Sequence, residues 1–432
     1  MSLPSSGSLA MVLSLLLLLS RPGSVAAYGQ APSKPVVTPI VKDASTSLYF
    51  FPAIVSNSQL MVDLAGPLVW STSCQQGHRT IPCKSSVCKV ANRDRPTGCA
   101  SAANGGEPGN ADPHCACTTY PYNPVSGHCG NGDLTVFPLS PTITDGEHGL
   151  SQVSFNGFGS CAPDGLLGSS LPPYFTGVAG LSRQPLSLPS QVASKLKLPN
   201  QFALCLPSDQ LYTSVALFGG GPFVLQSAAG PVDVAHEVQA SQLPLLKNRK
   251  NAGAYYFRVH GIAVNQELVP IAPGALDLNT HTGRGGVVFS TVTRYTTLRS
   301  DIFGALLAAF DRATSGIQWV KPPPPHFRCF AASSFPSTRL GPGVANIDFM
   351  LDNGQNWTLP GASSLVQVNE GTLCFAFQNM ASEAPDAPAI IFGTHQMENN
   401  LVQFDLDKST FGFSGLLLGR GTHCGNFGSM KS

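Results

Sequence analysis

The chain has 432 residues, only 11% of them charged, and a formal net charge of +1. Charged residues usually make up about 25%, and a balanced charge gives no electrostatic reason to expect a nucleic-acid partner. The 43% hydrophobic content and abundant Gly and Pro exclude a disordered polar chain. The twelve cysteines, an even number, point to disulfides in an oxidising compartment.

At the start, an apolar run from Leu9 to Leu19 leads to the small residues Val25-Ala26-Ala27. This reads as a secretory signal over residues 1–27, cleaved near Ala27, although a basic leading region is missing. The run is short for a bilayer span, which needs about 20 apolar residues, and no later segment looks membrane-spanning. The expected location is extracellular.

Pro35 to Lys42 is an extended lead-in. Ser47–Phe51, Leu60–Asp63 and Leu68–Trp70 then read as short strands divided by Gly, Pro, Asn and Ser, the pattern of an all-β protein. Residues 74 to 129 are irregular and cysteine-dense, with His78, His114 and His128 among the cysteines. Zinc is conceivable there, but paired C-x2-C spacings are missing and disulfides fit the compartment better. No cofactor or metal is expected.

Strands resume at Leu134–Phe137, Val153–Phe155 and Gly177–Leu181. A short helix follows over Leu188–Ala193, then buried strands at Phe202–Leu206 and Val215–Gly220. Near residue 225 the pattern begins again. Strands are expected at Tyr255–Val259, Ile262–Val264 and Gly286–Thr291, and a helix from about Leu298 to Ala313. Lys321–Pro325 is a stiff extended link. Ile347–Leu351 and Trp357–Leu359 look like paired strands, and Leu401–Leu406 with Phe411–Ser414 closes as a hairpin. Ala389–Gly393 mirrors the Gly177 strand, and Cys374–Phe377 is read as the mirror of the strand around Cys205. Two related β lobes follow, over residues 28–225 and 226–432, with a cleft between them.

The first lobe carries Val62-Asp63-Leu64-Ala65-Gly66, an apolar strand that delivers one carboxylate to a small-residue turn. The second carries Gly286-Val287-Val288-Phe289-Ser290, the same shape with Ser290 where a second acid would stand. These segments, with Ala389–Gly393 and Phe404-Asp405-Leu406, resemble the bilobal pepsin-like aspartic protease fold. The motifs Asp63–Thr72, Tyr120–Gly127 and Phe289–Arg299 resemble more closely the plant xylanase inhibitors of the TAXI type. The relatives of that family include xyloglucanase-inhibiting proteins and basic 7S globulins.

Aspartic proteolysis needs two carboxylates sharing one proton, so that one acts as base and the other as acid. A serine hydroxyl does not ionise near neutral pH. The first turn, Asp-Leu-Ala-Gly, has also lost the hydroxyl residue that usually follows the acid, and no tyrosine-bearing flap is evident after residue 129. Proteolysis is therefore expected to be lost, with Asp63 and Ser290 as a degenerate dyad. A Ser290–His281–Asp63 triad is disfavoured, because no Gly-x-Ser-x-Gly elbow surrounds Ser290. Asp63 is expected to survive as a turn carboxylate satisfied by backbone donors.

The resemblance implies instead a monomeric inhibitor of a microbial glycoside hydrolase, a xylanase or xyloglucanase. The relatives push a side chain between the enzyme's catalytic carboxylates, which retaining enzymes hold about 5–5.5 Å apart. The matching positions here are Arg420 and His423 in the loop before Cys424, and Thr293 and Arg294 after the Ser290 turn. The loop departs from the family by being richer in glycine, and the family histidine falls near Arg420. The resemblance also implies the pairs Cys74–Cys161, Cys205–Cys424 and Cys329–Cys374. Asn356-Trp357-Thr358 is a glycosylation sequon. Two other readings stay open: a storage or ligand-binding protein like the 7S globulins, and a residual aspartic endopeptidase.

Overall fold

The computed structural model describes residues 34–55, 58–74, 78–93, 99 and 115–427. The expected signal segment and His114 lie outside those residues.

Two four-strand arrangements of the same pattern carry the Asp63 and Ser290 turns. In the first, Ser58–Asp63 runs parallel to Gly177–Gly180, with Asp63 opposite Gly180. Gly177–Gly180 is also antiparallel to Val69–Ser71, which in turn runs parallel to Phe155–Cys161. In the second, Val287–Phe289 runs parallel to Ile390–Phe392. That strand is antiparallel to Thr296–Leu298, which runs parallel to Phe377–Asn379. The central strands are buried on both faces, as parallel strands usually are, and they read in the sequence as unbroken apolar runs. Glycine closes each motif for a steric reason. A Cβ on Gly180 would stand 2.4 Å from the Gly66 carbonyl oxygen, and one on Gly393 would stand 2.6 Å from the Tyr295 carbonyl carbon.

A long sheet joins the two halves of the chain. Val36–Lys42 pairs with Ser214–Phe218, which pairs with Gln201–Cys205. Gln201–Cys205 then pairs with Leu401–Asp405 from near the C-terminus, and the hairpin to Thr410–Phe413 completes that side. This corrects one expected correspondence. The strand around Cys205 is matched by Leu401–Asp405, its direct neighbour, and not by Cys374. The Thr372–Phe375 strand lies between Cys329–Ala331 and Leu365–Asn369, in a separate sheet. An apolar run around a cysteine marks burial in both places, but only backbone partners decide which strands correspond.

Several boundaries move for similar reasons. The expected strand at Val153–Phe155 runs instead over Phe155–Cys161. Its glycines weaken strand propensity, yet Gly159 is needed because a Cβ there would stand 2.6 Å from the Val69 carbonyl oxygen. The helix expected from Leu298 begins at Ser300, since Leu298 belongs to the strand before it. Its buried face is Ile302, Phe303, Leu306, Ala309 and Phe310, a helical stripe against the core. That core is aromatic and continuous between lobes: Phe202 of the first lobe stacks on Phe404 at 5.0 Å and meets Tyr255 edge-on at 6.0 Å.

All twelve cysteines form disulfides, so none is free to ligate zinc. Cys83–Cys115, Cys88–Cys117 and Cys99–Cys129 staple the irregular region, and Cys74–Cys161 ties it to the first lobe. Cys329–Cys374 lies within the second lobe, and Cys205–Cys424 joins the halves across 219 residues. Closing a loop that long removes chain entropy worth roughly 5 kcal/mol on the simplest model.

Candidate functional site

The two turns meet between the lobes through one threonine. Thr291 Oγ1 donates to the Val62 carbonyl at 2.8 Å and accepts from the Leu64 N–H at 3.1 Å. Leu64, buried and apolar, returns no such bond. The link is therefore one-sided.

Asp63 is 5% exposed. Its Oδ1 accepts from the Ala65 N–H at 2.9 Å. Burial pushes its pKa from the ordinary 3.8 up to about 6, against the opposing pull of the Ala65 and Gly66 N–H groups. Ser290, next after Phe289 in the second motif, takes the position that corresponds to Asp63, and its hydroxyl is turned back onto its own turn. Oγ accepts from the N–H groups of Val292 at 3.2 Å and Thr293 at 3.1 Å, and donates to Thr293 Oγ1 at 3.1 Å. His281 sits exposed in the 279–284 turn, where its own N–H bonds to Asn279 Oδ1. Ser290 thus has turn partners and no base beside it.

A cleft of about 440 Å³ opens over Asp63. One wall is a hairpin that pairs Tyr122 with Cys129 and Asn123 with His128. Trp70, on the strand after the Asp63 turn, holds that hairpin down by donating its indole N–H to the Tyr122 carbonyl at 3.1 Å. The hairpin ends at Cys129, just upstream of the segment in which the sequence suggested looking for a flap. Burial, and secondarily the Asp63 charge, raise the Tyr122 pKa. Arg249, Lys250 and Asp386 from the second half, and Arg93 from the first, also line the cleft.

Thr293 and Arg294 lie just past the Ser290 turn, with Arg294 exposed. Their carbonyls accept from the Thr394 and His395 N–H groups, both at 2.9 Å. The Arg294 guanidinium lies over Tyr295 at 4.8 Å. The His395 segment continues into Glu398, a buried carboxylate of a different kind. Glu398 accepts from Lys42 at 2.6 Å and from the Tyr49 hydroxyl at 2.9 Å, and lies 3.3 Å from His395 Nδ1. Burial alone would raise its pKa, but His395 and Lys42 outweigh burial and hold it below the ordinary carboxylate range.

Arg420 ends a short 3-10 turn and pairs with Glu237, both partly exposed. His423 Nδ1 accepts from the Gly425 N–H at 3.1 Å, and the ring packs on Tyr212 at 4.6 Å. Burial lowers the His423 pKa, which favours the neutral ring. The loop is stitched to Asn399, whose carbonyl accepts from the Leu417 N–H at 2.8 Å and whose Oδ1 accepts from the Cys424 N–H at 3.1 Å. The Arg294 and Arg420 sites are therefore both anchored on the 394–400 segment. Asn356 opens the Asn356–Leu359 strand with its side chain exposed.

Two family models cover most of the chain: xylanase inhibitor N-terminal over residues 55–220 and xylanase inhibitor C-terminal over residues 254–415. The chain is 44% identical to "Chitinase CLP" of Oryza sativa subsp. japonica, over 91% of both sequences. The chain belongs to the TAXi family. It is also 33% identical to "Gamma conglutin 1" of Prunus dulcis, over 96% of this chain and 94% of that protein. Among solved structures it is similar to EDGP, with a TM-score of 0.81, 32% identity, and coverage of 93% of this chain and 100% of that one. It also resembles the soybean basic 7S globulin, with a TM-score of 0.73, 27% identity, and coverage of 92% and 98%. These neighbours share the bilobal pepsin-like fold.

Within this TAXi scaffold, sequence reasoning missed the cations of the cleft. Arg93 and Arg249 are separated by over a hundred and fifty positions and belong to no motif. The signal that could have found the hairpin was Tyr120-Pro121-Tyr122-Asn123-Pro124, whose turn residues stand close before the Gly132–Leu139 strand.

Proposed function

We propose that this protein is a secreted, non-proteolytic, monomeric inhibitor of a microbial cell-wall glycoside hydrolase, first among them endo-1,4-β-xylanase, acting in plant defence. The observation that carries this reading is the Ser290 turn. The cleft of a protease fold remains, but the second acid position holds a hydroxyl bonded to its own turn. Acid–base splitting between two carboxylates then has no second partner, and binding is the use left for the scaffold. The inhibitor contacts are Thr293, Arg294, Arg420 and His423. Arg420 exchanges Glu237 for a carboxylate of the enzyme, and guanidinium–carboxylate pairing of this kind is strong where water is excluded. His423, with Nδ1 accepting from Gly425, offers Nε2–H as a donor. The Cys205–Cys424 bond and Asn399 hold the loop in place, so less entropy is lost on docking. Glycosylation at Asn356 is compatible with this use, because the residue is exposed on the second lobe.

A titration tests the reading. The chain from residue 28, expressed through an oxidising secretory pathway, is titrated against retaining microbial xylanases and a xyloglucanase at mildly acidic pH. Saturable inhibition of one family is expected, weakened about ten-fold or more by Arg420→Ala, as for loss of a buried charge pair. No inhibition by folded protein would transfer the assignment to a storage or ligand-binding role.

One observation favours a second reading, hydrolysis of chitin oligosaccharides, suggested by the name of the rice relative. Asp63, with its raised pKa, shares the cleft with Asp386, and glycoside hydrolysis uses paired carboxyls. Release of reducing ends from chitotetraose, lost in Asp63→Asn, would establish it.

A further inference from the structure

We propose that the cleft over Asp63 binds a short carboxylated oligosaccharide, a chain of a few uronic acid units, through Arg93, Arg249 and Lys250 at its mouth. This stands whether or not the chain inhibits a hydrolase, because it uses none of the inhibitor contacts.

The cavity, about 440 Å³, lies within the range of small-ligand sites, about 300–1,000 Å³. Its mouth carries three exposed cations contributed by both halves of the chain. Among the described residues none of the three forms an ion pair, whereas Arg284, Arg299, Arg328 and Arg420 each pair with a carboxylate. Three cations with no ion pair among the described residues, lining one opening, attract an anion from solution. The rest of the lining is not that of a simple ion site. Tyr122 offers a half-buried aromatic face, and Gln184 and Asn251 offer amide groups. A sugar acid presents matching chemistry in one molecule: C–H faces for the ring, hydroxyls for the amides and carboxylates for the cations.

The floor makes the site sensitive to pH. The titratable and charged groups that line the cleft with Asp63 are Tyr120, Tyr122, Arg93, Arg249, Lys250 and Asp386. Below about pH 6 Asp63 is protonated, and Asp386 is the remaining acid among the lining residues. Above it a second negative charge opposes the ligand. A uronate stays ionised throughout that interval, so the protein's own titration sets the dependence.

The experiment is isothermal titration of the folded chain with trigalacturonate at pH 5 and pH 7.5 and low ionic strength, beside neutral xylotriose and an Asp-Glu-Asp tripeptide. Saturable binding of trigalacturonate is expected, tighter at pH 5 by about three-fold or more, as one nearby charge would give. The Arg249→Ala/Lys250→Ala variant should weaken it about ten-fold, since both changes remove charge-assisted bonds. Asp63→Asn should bind equally at the two pH values. The proposal is overturned if trigalacturonate does not saturate at pH 5, if the double variant binds as tightly as the parent, or if xylotriose or the tripeptide binds better.

Discussion

Asp63 and Ser290 follow corresponding strands, yet the molecule satisfies them in opposite ways. The first-lobe turn keeps a carboxylate in a poorly hydrated cleft floor, where backbone N–H groups only partly compensate its charge, and its pKa rises to about 6. The second-lobe turn holds a neutral hydroxyl with three partners at ordinary hydrogen-bond distances. One turn therefore stores an electrostatic cost and the other stores none. The strand geometry has been kept while the chemistry has diverged. What preserves the geometry is close glycine packing and the Thr291 link, neither of which needs an ionisable group.

The largest expected effect separates the two turns by pH. Asp63 has a folded pKa above its unfolded value, so its contribution is most favourable below about pH 4 and is lost as pH rises through about 6. A rise from 3.8 to about 6 corresponds to roughly 3 kcal/mol. Asp63→Asn keeps the shape and carries no charge. It should leave stability near that of the parent at pH 4 and exceed the parent by roughly 2–3 kcal/mol at pH 7.5. Thermal melts of both proteins at the two pH values check this, and a constant difference would show that the carboxylate is not strained. Thr291→Val comes next. It leaves the Leu64 N–H and Val62 carbonyl without their partner in a buried position, and denaturant melts should show a loss of about 1–3 kcal/mol. Ser290→Ala should be the mildest, about 1 kcal/mol, with no pH dependence between 4 and 7.5, because the hydroxyl does not titrate. A strong pH dependence in that variant would mean that the two turns are electrically coupled after all.

Much of this architecture is legible along the chain. Short strands punctuated by Gly and Pro, the repeated apolar turn and the long motif matches lead to a bilobal β protein of this family. The Ile347–Leu351 and Trp357–Leu359 hairpin is local and pairs in register. Reading fails where partners are remote. Phe155–Cys161 looks too rich in glycine for a strand until the Val69 backbone is placed against it. The Cys374 run looks like the Cys205 run until their neighbours are known. The candidate residues around Arg420 were visible as a loop, but Glu237, nearly two hundred positions earlier, was not visible as its partner.

The sequence alone determined the strand-rich composition, the turn residues and the identity of the groups at the two dyad positions, because periodicity, turn propensity and side-chain chemistry are local properties. The tertiary structure decided the rest. Burial raises the Asp63 pKa, ion pairing lowers that of Glu398, and Arg93 comes to line one opening with the remote pair Arg249 and Lys250. Each follows from distance and solvent exclusion, which exist only after the chain has folded.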